Sequence, residues 1–361
     1  MEIREGQIRA SFLYDVAESI ELQRLPALLK TETGRAHLQP KPYTPAYVQF
    51  SPPPVTLSVE ERALDDFRVG YKFYDYGVVS VTLWKPFAGT WEQLLAQGAN
   101  LQGNTDLEAF SEQACRKILA RFPEACLKLR PDFLDEDYLI FAVHEFDRKV
   151  TAGELLERHG GEIASLLRGE AGPLHQEEVR EVLGTRISYL NNDLIIPTWN
   201  TAFVYDTPRG AEAAFELMEF ANSQLLEFRY YDALLDRELD RVYTEVQQRR
   251  SNWPWQGWRY SGMAQQVQSL LIDVKSLADK TENTLKVVGD VYAARLLRLL
   301  ESRLGLDAWK ASVNDELATL DRIYRFLSDQ VNISRSMTLE GIIVAVLLVE
   351  LWMILVGLLK L

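Results

Sequence analysis

The sequence predicts an α+β fold. An N-terminal antiparallel-sheet domain, ferredoxin-like in its element order, leads into long helices that form an antiparallel coiled-coil hairpin and then into one C-terminal transmembrane helix. Three observations carry this expectation. β-branched and aromatic segments alternate with helical ones up to about residue 206; proline-poor stretches with heptad-spaced apolar residues follow; and an apolar run occupies residues 341–359.

In the first part, residues 7–16 alternate as a strand and 19–30 suit a helix. Six prolines between residues 40 and 54 make that stretch an extended connection, with room for a short strand at 46–50. Residues 67–84 are β-branched and aromatic around a turn at Asp75–Gly77, which predicts a hairpin. A helix over 106–121, a buried strand over 137–146, short helices over 151–168 and 176–184, and strand character over 194–205 follow. The order β-α-β-β-α-β through residue 146 is that of a ferredoxin-like unit.

The domains expected are therefore 1–206 (α+β), 207–335 (helical) and 337–361 (anchor). Residues 209–250 contain no proline and read as one helix, and 251–261 break it. Residues 262–303 resume it, with Val267, Leu271, Val274, Ala278, Thr281, Leu285, Val288, Tyr292 and Leu299 near heptad spacing. Beyond Gly305, the residues Val313, Leu317, Leu320, Tyr324, Leu327 and Val331 keep strict 4-3-4-3-4 spacing, a coiled-coil seam. The short link at Gly305 predicts that the two helices pack antiparallel.

Residues 341–359 hold 19 residues with a single charge, Glu350. At about 1.5 Å per residue they reach roughly 28 Å, the thickness of a bilayer core. A carboxylate at mid-span costs on the order of 2.5–3.5 kcal/mol, so Glu350 is expected to meet another helix, of a second copy or of a partner. Glu340 begins the span, where exposed helix amides favour a carboxylate, or is interfacial if the helix over 306–331 runs on into the span, and Trp352 lies deep in it. With Lys360 and Leu361 alone after the span, the soluble part is expected on the cytoplasmic side of a single-pass membrane protein.

The net charge of −13 argues against nucleic acid as a partner and against broad adhesion to anionic lipid. Cys115 and Cys126 cannot build a disulfide framework, which fits a reducing compartment, and the N-terminus shows no signal-peptide pattern.

The stretch Leu320-Asp321-Arg322-Ile323-Tyr324-Arg325-Phe326-Leu327-Ser328-Asp329-Gln330-Val331, then Thr338-Leu339-Glu340-Gly341-Ile342-Ile343-Val344 and Val349-Glu350-Leu351, resembles the C-terminus of the Required for Meiotic Nuclear Division family. Members of that family end in a coiled coil, a Leu-Glu pair and an isoleucine-rich span holding a second glutamate. The resemblance covers about residues 306–352, with looser likeness at Tyr76-Gly77-Val78-Val79 and over 211–229. Gly341 stands where many members have tryptophan. The resemblance implies a membrane-anchored domain of unknown function; eukaryotic members lie in mitochondrial membranes and are implicated in organellar translation.

Trp253, Trp255 and Trp258 beside Arg259 and Tyr260 have the composition of a headgroup-layer loop, a second and weaker membrane contact. The alternative is that these tryptophans fill a gap between the helices and the α+β domain. Asp135-Glu136-Asp137 with His144 and Glu145, and His159, Glu162, His175, Glu177 and Glu178, lack any ligand spacing with a mechanism behind it, so no metal or cofactor is expected. No phosphate-cradling loop, nucleophile elbow or dinucleotide fingerprint occurs. The reading is a membrane-tethered scaffold or interaction protein whose partners are the bilayer and a second copy or partner helix. A membrane-associated hydrolase or nucleotide-handling enzyme, or an accessory subunit contacted through Glu350, are the alternatives.

Overall fold

The computed structural model describes residues 1–30, 37–39, 48–62, 66–248, 257–283, 285–287 and 291–358. The chain divides into two compact units, Met1–Tyr230 with Lys280–Trp309, and Tyr231–Asp279 with Lys310–Leu361.

The first unit opens with β1 (Ile3–Asp15), β2 (Ser19–Ile20), α1 (Leu25–Lys30), β3 (His37–Gln39), β4 (Val48–Phe50), β5 (Val55–Arg62), β6 (Arg68–Phe73) and β7 (Val78–Gly89). It continues with α2 (Trp91–Leu101), α3 (Thr105–Leu119), β8 (Cys126–Leu127), β9 (Leu134–Phe146), α4 (Ala152–Arg168), α5 (Gln176–Gly184), β10 (Leu194–Pro197) and β11 (Thr201–Tyr205). The long helix α6 (Pro208–Gln248) starts in this unit and ends in the second. Then come α7 (Gly257–Asn283), β12 (Leu285–Val287), α8 (Val291–Arg303) and α9 (Leu306–Leu358).

Eight strands form the main sheet in the order β10-β11-β9-β1-β7-β6-β5-β3. Every neighbouring pair is antiparallel except β9 with β11. β1 is central because both of its edges are paired, Arg9 opposite Trp84 of β7 and opposite Ile140 of β9. Along β1, Ile8, Ala10, Phe12 and Tyr14 join Val79, Val81 and Leu83 of β7 and Phe141 of β9 in one core. Alternation sends Arg9, Ser11 and Asp15 to the opposite face. Helices α2, α3 and α4 cover the apolar face through Leu94, Ile118 and Leu166. Thr90 and Thr151 start α2 and α4 with reciprocal capping boxes to Gln93 and Glu154.

The hairpin expected over 67–84 is β6 and β7, closed by Tyr74 N–H donating to Val78 O at 2.9 Å. Gly77 sits there at φ +98, and a Cβ on it would lie 1.9 Å from Ala17 O. That position demands glycine on both counts.

Three expectations need correction. The unit is not ferredoxin-like: β5, β6 and β7 form a meander before the first covering helix, and β9 pairs parallel with β11. Residues 19–30 are not one helix, since Ser19–Ile20 pairs with Cys126–Leu127 and leaves only Leu25–Lys30 helical. The helix expected over 262–303 is interrupted by Leu285–Val287, whose backbone pairs with Val48–Phe50 in a two-stranded sheet. A heptad pattern counts apolar side chains and is blind to a backbone captured by another strand.

The second unit brings together the end of α6, most of α7 and α9. Val313, Leu320, Leu327 and Ser334 are buried at seven-residue intervals, and Leu317, Tyr324, Val331 and Thr338 between them are half-buried. Leu235, Leu239 and Val242 of α6 and Val267 and Val274 of α7 are buried as well. α9 runs 53 residues without a break, about 80 Å at 1.5 Å per residue.

Candidate functional site

From Leu339 onward α9 changes character. Every residue from 339 to 354 is exposed, around the whole circumference of the helix. Among the described residues this is the one helix long and apolar enough to cross a membrane, with a mean hydropathy of 2.1 over its best window and none of that window buried. Glu350 and Trp352 (66% exposed) sit on it. Glu340 does not begin a helix. It lies inside α9 and accepts a hydrogen bond from Ser336 Oγ at 3.3 Å, so no free amides face it. Trp258 and Arg259 fall in the first turn of α7, and Trp253 and Trp255 lie outside the described residues.

The polar face of the sheet holds a second site that the sequence reading missed. Between residues 213 and 228 every residue of α6 is buried, among them Glu216, Glu219, Asn222, Ser223, Gln224 and Glu227. From the sheet side come Arg9, Ser11, Asp15, Lys72, Ser80 and Thr82, also buried. Lys72 Nζ donates to Glu216 Oε2 at 2.8 Å and to Glu219 Oε2 at 2.7 Å. Burial alone would lower the Lys72 ammonium, but the two facing carboxylates outweigh it, and the group is raised above its ordinary value. Arg9 Nη2 lies 3.6 Å from Glu219 Oε2, with its guanidinium 5.2 Å from the Phe215 ring centroid. Two cations therefore meet two carboxylates among almost wholly buried side chains, and the opposite charges offset the cost of that burial.

The layer continues toward the hairpin. Tyr74 and Tyr76 stack at 5.2 Å, Tyr76 Oη shares a 2.6 Å hydrogen bond with Ser223 Oγ, and burial pushes both phenols well up. Asp15 is fully buried and faces Arg130, which also stacks 3.5 Å from the Tyr230 ring centroid. Beside Lys72 the layer opens into a cavity of about 230 Å³, lined by Arg9, Lys72, Glu219, Gly70, Thr82 and Trp84 among others.

Elsewhere the sequence-derived candidates are dispersed. His144 contacts Gln7 and Asp206 O, His159 pairs with Glu162 and stacks on Trp91 at 4.8 Å, and His175 caps α5. Glu136 pairs with Arg229, while burial raises Asp135 and Asp137. Cys115 is buried and Cys126 half-buried, both pushed up by burial, the second to about 11, so neither is a ready nucleophile. In the second unit, carboxylate oxygens of Asp232, Asp236 and Glu316 lie within 4.8 Å of one another. Burial first, and then those two aspartates, raise Glu316 to about 8.

A family model described as "Uncharacterized protein MJ0711, N-terminal domain" matches residues 5–212. "Uncharacterized protein MJ0711" of Methanocaldococcus jannaschii is 24% identical over 225 residues, 62% of this chain and 67% of that protein. No solved structure matches. These matches overturn the resemblance to the Required for Meiotic Nuclear Division family, to which neither points. That resemblance rested on a heptad-spaced helix and an apolar span, patterns that helix packing and lipid impose on unrelated chains. The family match instead spans the sheet and its covering helices.

Proposed function

This chain belongs to the MJ0711 N-terminal-domain family, and we propose that it works as a membrane-tethered interaction protein. On this reading, residues 341–358 lie in a bilayer and tether the rest of the chain to it. One observation carries the reading: a single helix buries a heptad stripe over 313–334 and then exposes apolar side chains on all sides. Twelve large apolar residues between Leu339 and Ile354 are more than half exposed. At roughly 1.5–3 kcal/mol each, leaving them in water forgoes on the order of 20 kcal/mol. That exceeds the roughly 5–15 kcal/mol by which a folded domain is stable, so lipid is the fitting solvent.

Arg322, Arg325 and Arg335 flank the span on its N-terminal side, which favours a cytoplasmic soluble part. Because the heptad stripe is packed within the chain, Glu350 is what supports self-association or a partner helix. A carboxyl at the bilayer centre gains most by facing protein.

Ultracentrifugation of cell lysates tests the tether. The full chain should sediment with membranes and resist carbonate extraction, whereas a chain ended at Leu339 should stay in the supernatant. Recovery of the full chain in the supernatant without detergent refutes it. Protease added to intact spheroplasts should spare the soluble part. Crosslinking in mild detergent, with and without Glu350→Leu, reads out the helix contact.

A further inference from the structure

A second heptad stripe runs along α9 beside the buried one. Ile323, Phe326, Gln330, Ile333 and Met337 keep 3-4-3-4 spacing, and Glu340, Val344, Leu347, Leu351 and Ile354 continue it in the same register. From Ile323 to Ile354 it runs about 47 Å at 1.5 Å per residue, longer than the three to four heptads that mark a coiled coil. The first stripe is buried at Leu320, Leu327 and Ser334, but this one stands open: Phe326 is 49% exposed, Ile333 48% and Met337 49%. At its start Ile323 and Phe326 line a groove of about 310 Å³ with Tyr243 and Val246 of α6, and Tyr243 is itself exposed.

Lipid accounts for the open positions from Leu339 onward, but not for these. Phe326 lies 15 residues before Gly341, about 22 Å along the helix on the water side of the span. An occupant that follows the stripe from Ile323 to Ile354 must pass from water into the bilayer in the same register. Among the described residues α9 is the one helix able to do so, which makes α9 of a second copy the fitting occupant. Copies tethered from one side of a membrane run parallel, and a parallel pair brings like positions together. Gln330 suits that arrangement, because its amide both donates and accepts and so can bond its own copy across the axis. A single polar residue of this kind in an apolar seam fixes the register. We infer that α9 pairs in parallel with α9 of a second copy through Ile323, Phe326, Gln330, Ile333 and Met337 and on into the span. The pairing rests on the membrane reading of α9 and names its partner. The water-side positions drive it, since lipid tails are as apolar as the leucines within the span. Glu350, one position before Leu351, flanks the stripe. Glu340 opposes the pairing, because two like carboxylates meet across the axis at the membrane boundary.

Cysteine scanning in membranes tests the pair. Single substitutions from Gln330→Cys to Met337→Cys are made in the full chain and oxidised with copper phenanthroline, the parent chain with its own Cys115 and Cys126 giving the baseline. Disulfide-linked dimers should peak at positions 330, 333 and 337 and stay near baseline at the exposed positions 332 and 335. In mild detergent, analytical ultracentrifugation should return the mass of two chains. Phe326→Asp and Ile333→Asp should weaken association tenfold or more, and Glu340→Gln should tighten it. All three side chains are exposed, so far-ultraviolet circular dichroism should stay unchanged; the cysteine scan decides the matter alone should an aspartate variant fail to fold. Cross-linking at Arg335→Cys equal to that at Ile333→Cys, a mass above two chains, or association that both aspartate variants leave intact overturns the pair. So does a monomer in both assays, the result if another segment of this chain or a different protein covers the stripe. A chain that sediments with membranes yet stays monomeric sinks the pair and spares the tether, whereas a chain left in the supernatant sinks both.

Discussion

Replacing Lys72 by methionine probes the buried charged layer directly. The lysine Nζ lies 2.8 and 2.7 Å from Glu216 and Glu219, and all three side chains are 5% exposed or less. Methionine keeps most of the apolar stem and removes the ammonium. Two buried carboxylates then share only Arg9, which is 3.6 Å from Glu219. Removing one partner of a buried ion pair costs about 3–5 kcal/mol. For a unit of this size each kcal/mol lowers the thermal midpoint by roughly 2–4 °C, so a fall of about 6–20 °C is expected at pH 7. The pH dependence has a definite sign. Carboxylates that lose their ammonium hold protons more tightly when folded than when unfolded, so the folded variant binds more protons and weakens as pH rises. The deficit relative to the parent chain should therefore shrink at pH 5 and grow at pH 8, and Glu216→Gln in the Lys72→Met background should recover part of it. Thermal denaturation of the full chain in micelles, followed by circular dichroism at both pH values, measures this. A midpoint within 2 °C of the parent, or a deficit equal at both pH values, refutes the argument by showing that water reaches the layer.

Three further outcomes follow from the geometry. Glu316, raised to about 8 from an ordinary 4.5, holds a proton in the fold that the unfolded chain releases, so stability falls as pH rises through that window. Solvent reaches much of the group, which limits the loss to about 1–2 kcal/mol; Glu316→Gln should flatten the slope in urea titrations at pH 5 and 8, and an unchanged slope refutes the assignment. Gly77→Ala forces a Cβ to 1.9 Å from Ala17 O at φ +98 and should cost at least about 2 kcal/mol by chemical denaturation; a neutral result means the hairpin shifts at no cost. Leu320→Ala, at a fully buried position, should cost about 2–5 kcal/mol in the same measurement, while Leu347→Ala, 58% exposed, should leave it unchanged; equal losses would place both in one core.

Much of the fold is legible in the sequence because the residues state their environment. The strand at β1, the turn at Gly77 and the buried spacing from Val313 to Val331 are present as the sequence predicts, but β1 is buried on both faces from Ile8 to Asp15, which its alternation does not announce. The helix α2 leaves a weak trace in the sequence: Thr90 and Gln93 spell its capping box, but its apolar stripe, Trp91, Leu94 and Leu101, is short. Leu285–Val287 carries a helical pattern in the sequence because its partner strand lies more than two hundred residues away.

The charged layer was hidden for a different reason. Glu216, Glu219, Ser223 and Glu227 recur at helical spacing, and Arg9, Ser11, Ser80 and Thr82 alternate along strands. Each pattern alone describes a face turned to water. Two such faces turned toward one another satisfy the same patterns, and only pairing between them, Lys72 with Glu216 and Glu219 or Tyr76 with Ser223, reveals that water has been excluded. The signal in the chain was the remainder of α6. Phe215, Leu217, Met218, Phe220, Leu225 and Leu226 surround the polar stripe and leave no side of the helix suited to solvent. The end of α9 presents the inverse case. Its side chains are apolar on every side, and none of the described residues encloses them. A helix buried on all sides must carry its polar stripe into the protein, and a helix apolar on all sides with no protein around it must find another apolar medium. One rule of solvation thus accounts for the ion pairs beneath α6 and for the lipid proposed around α9.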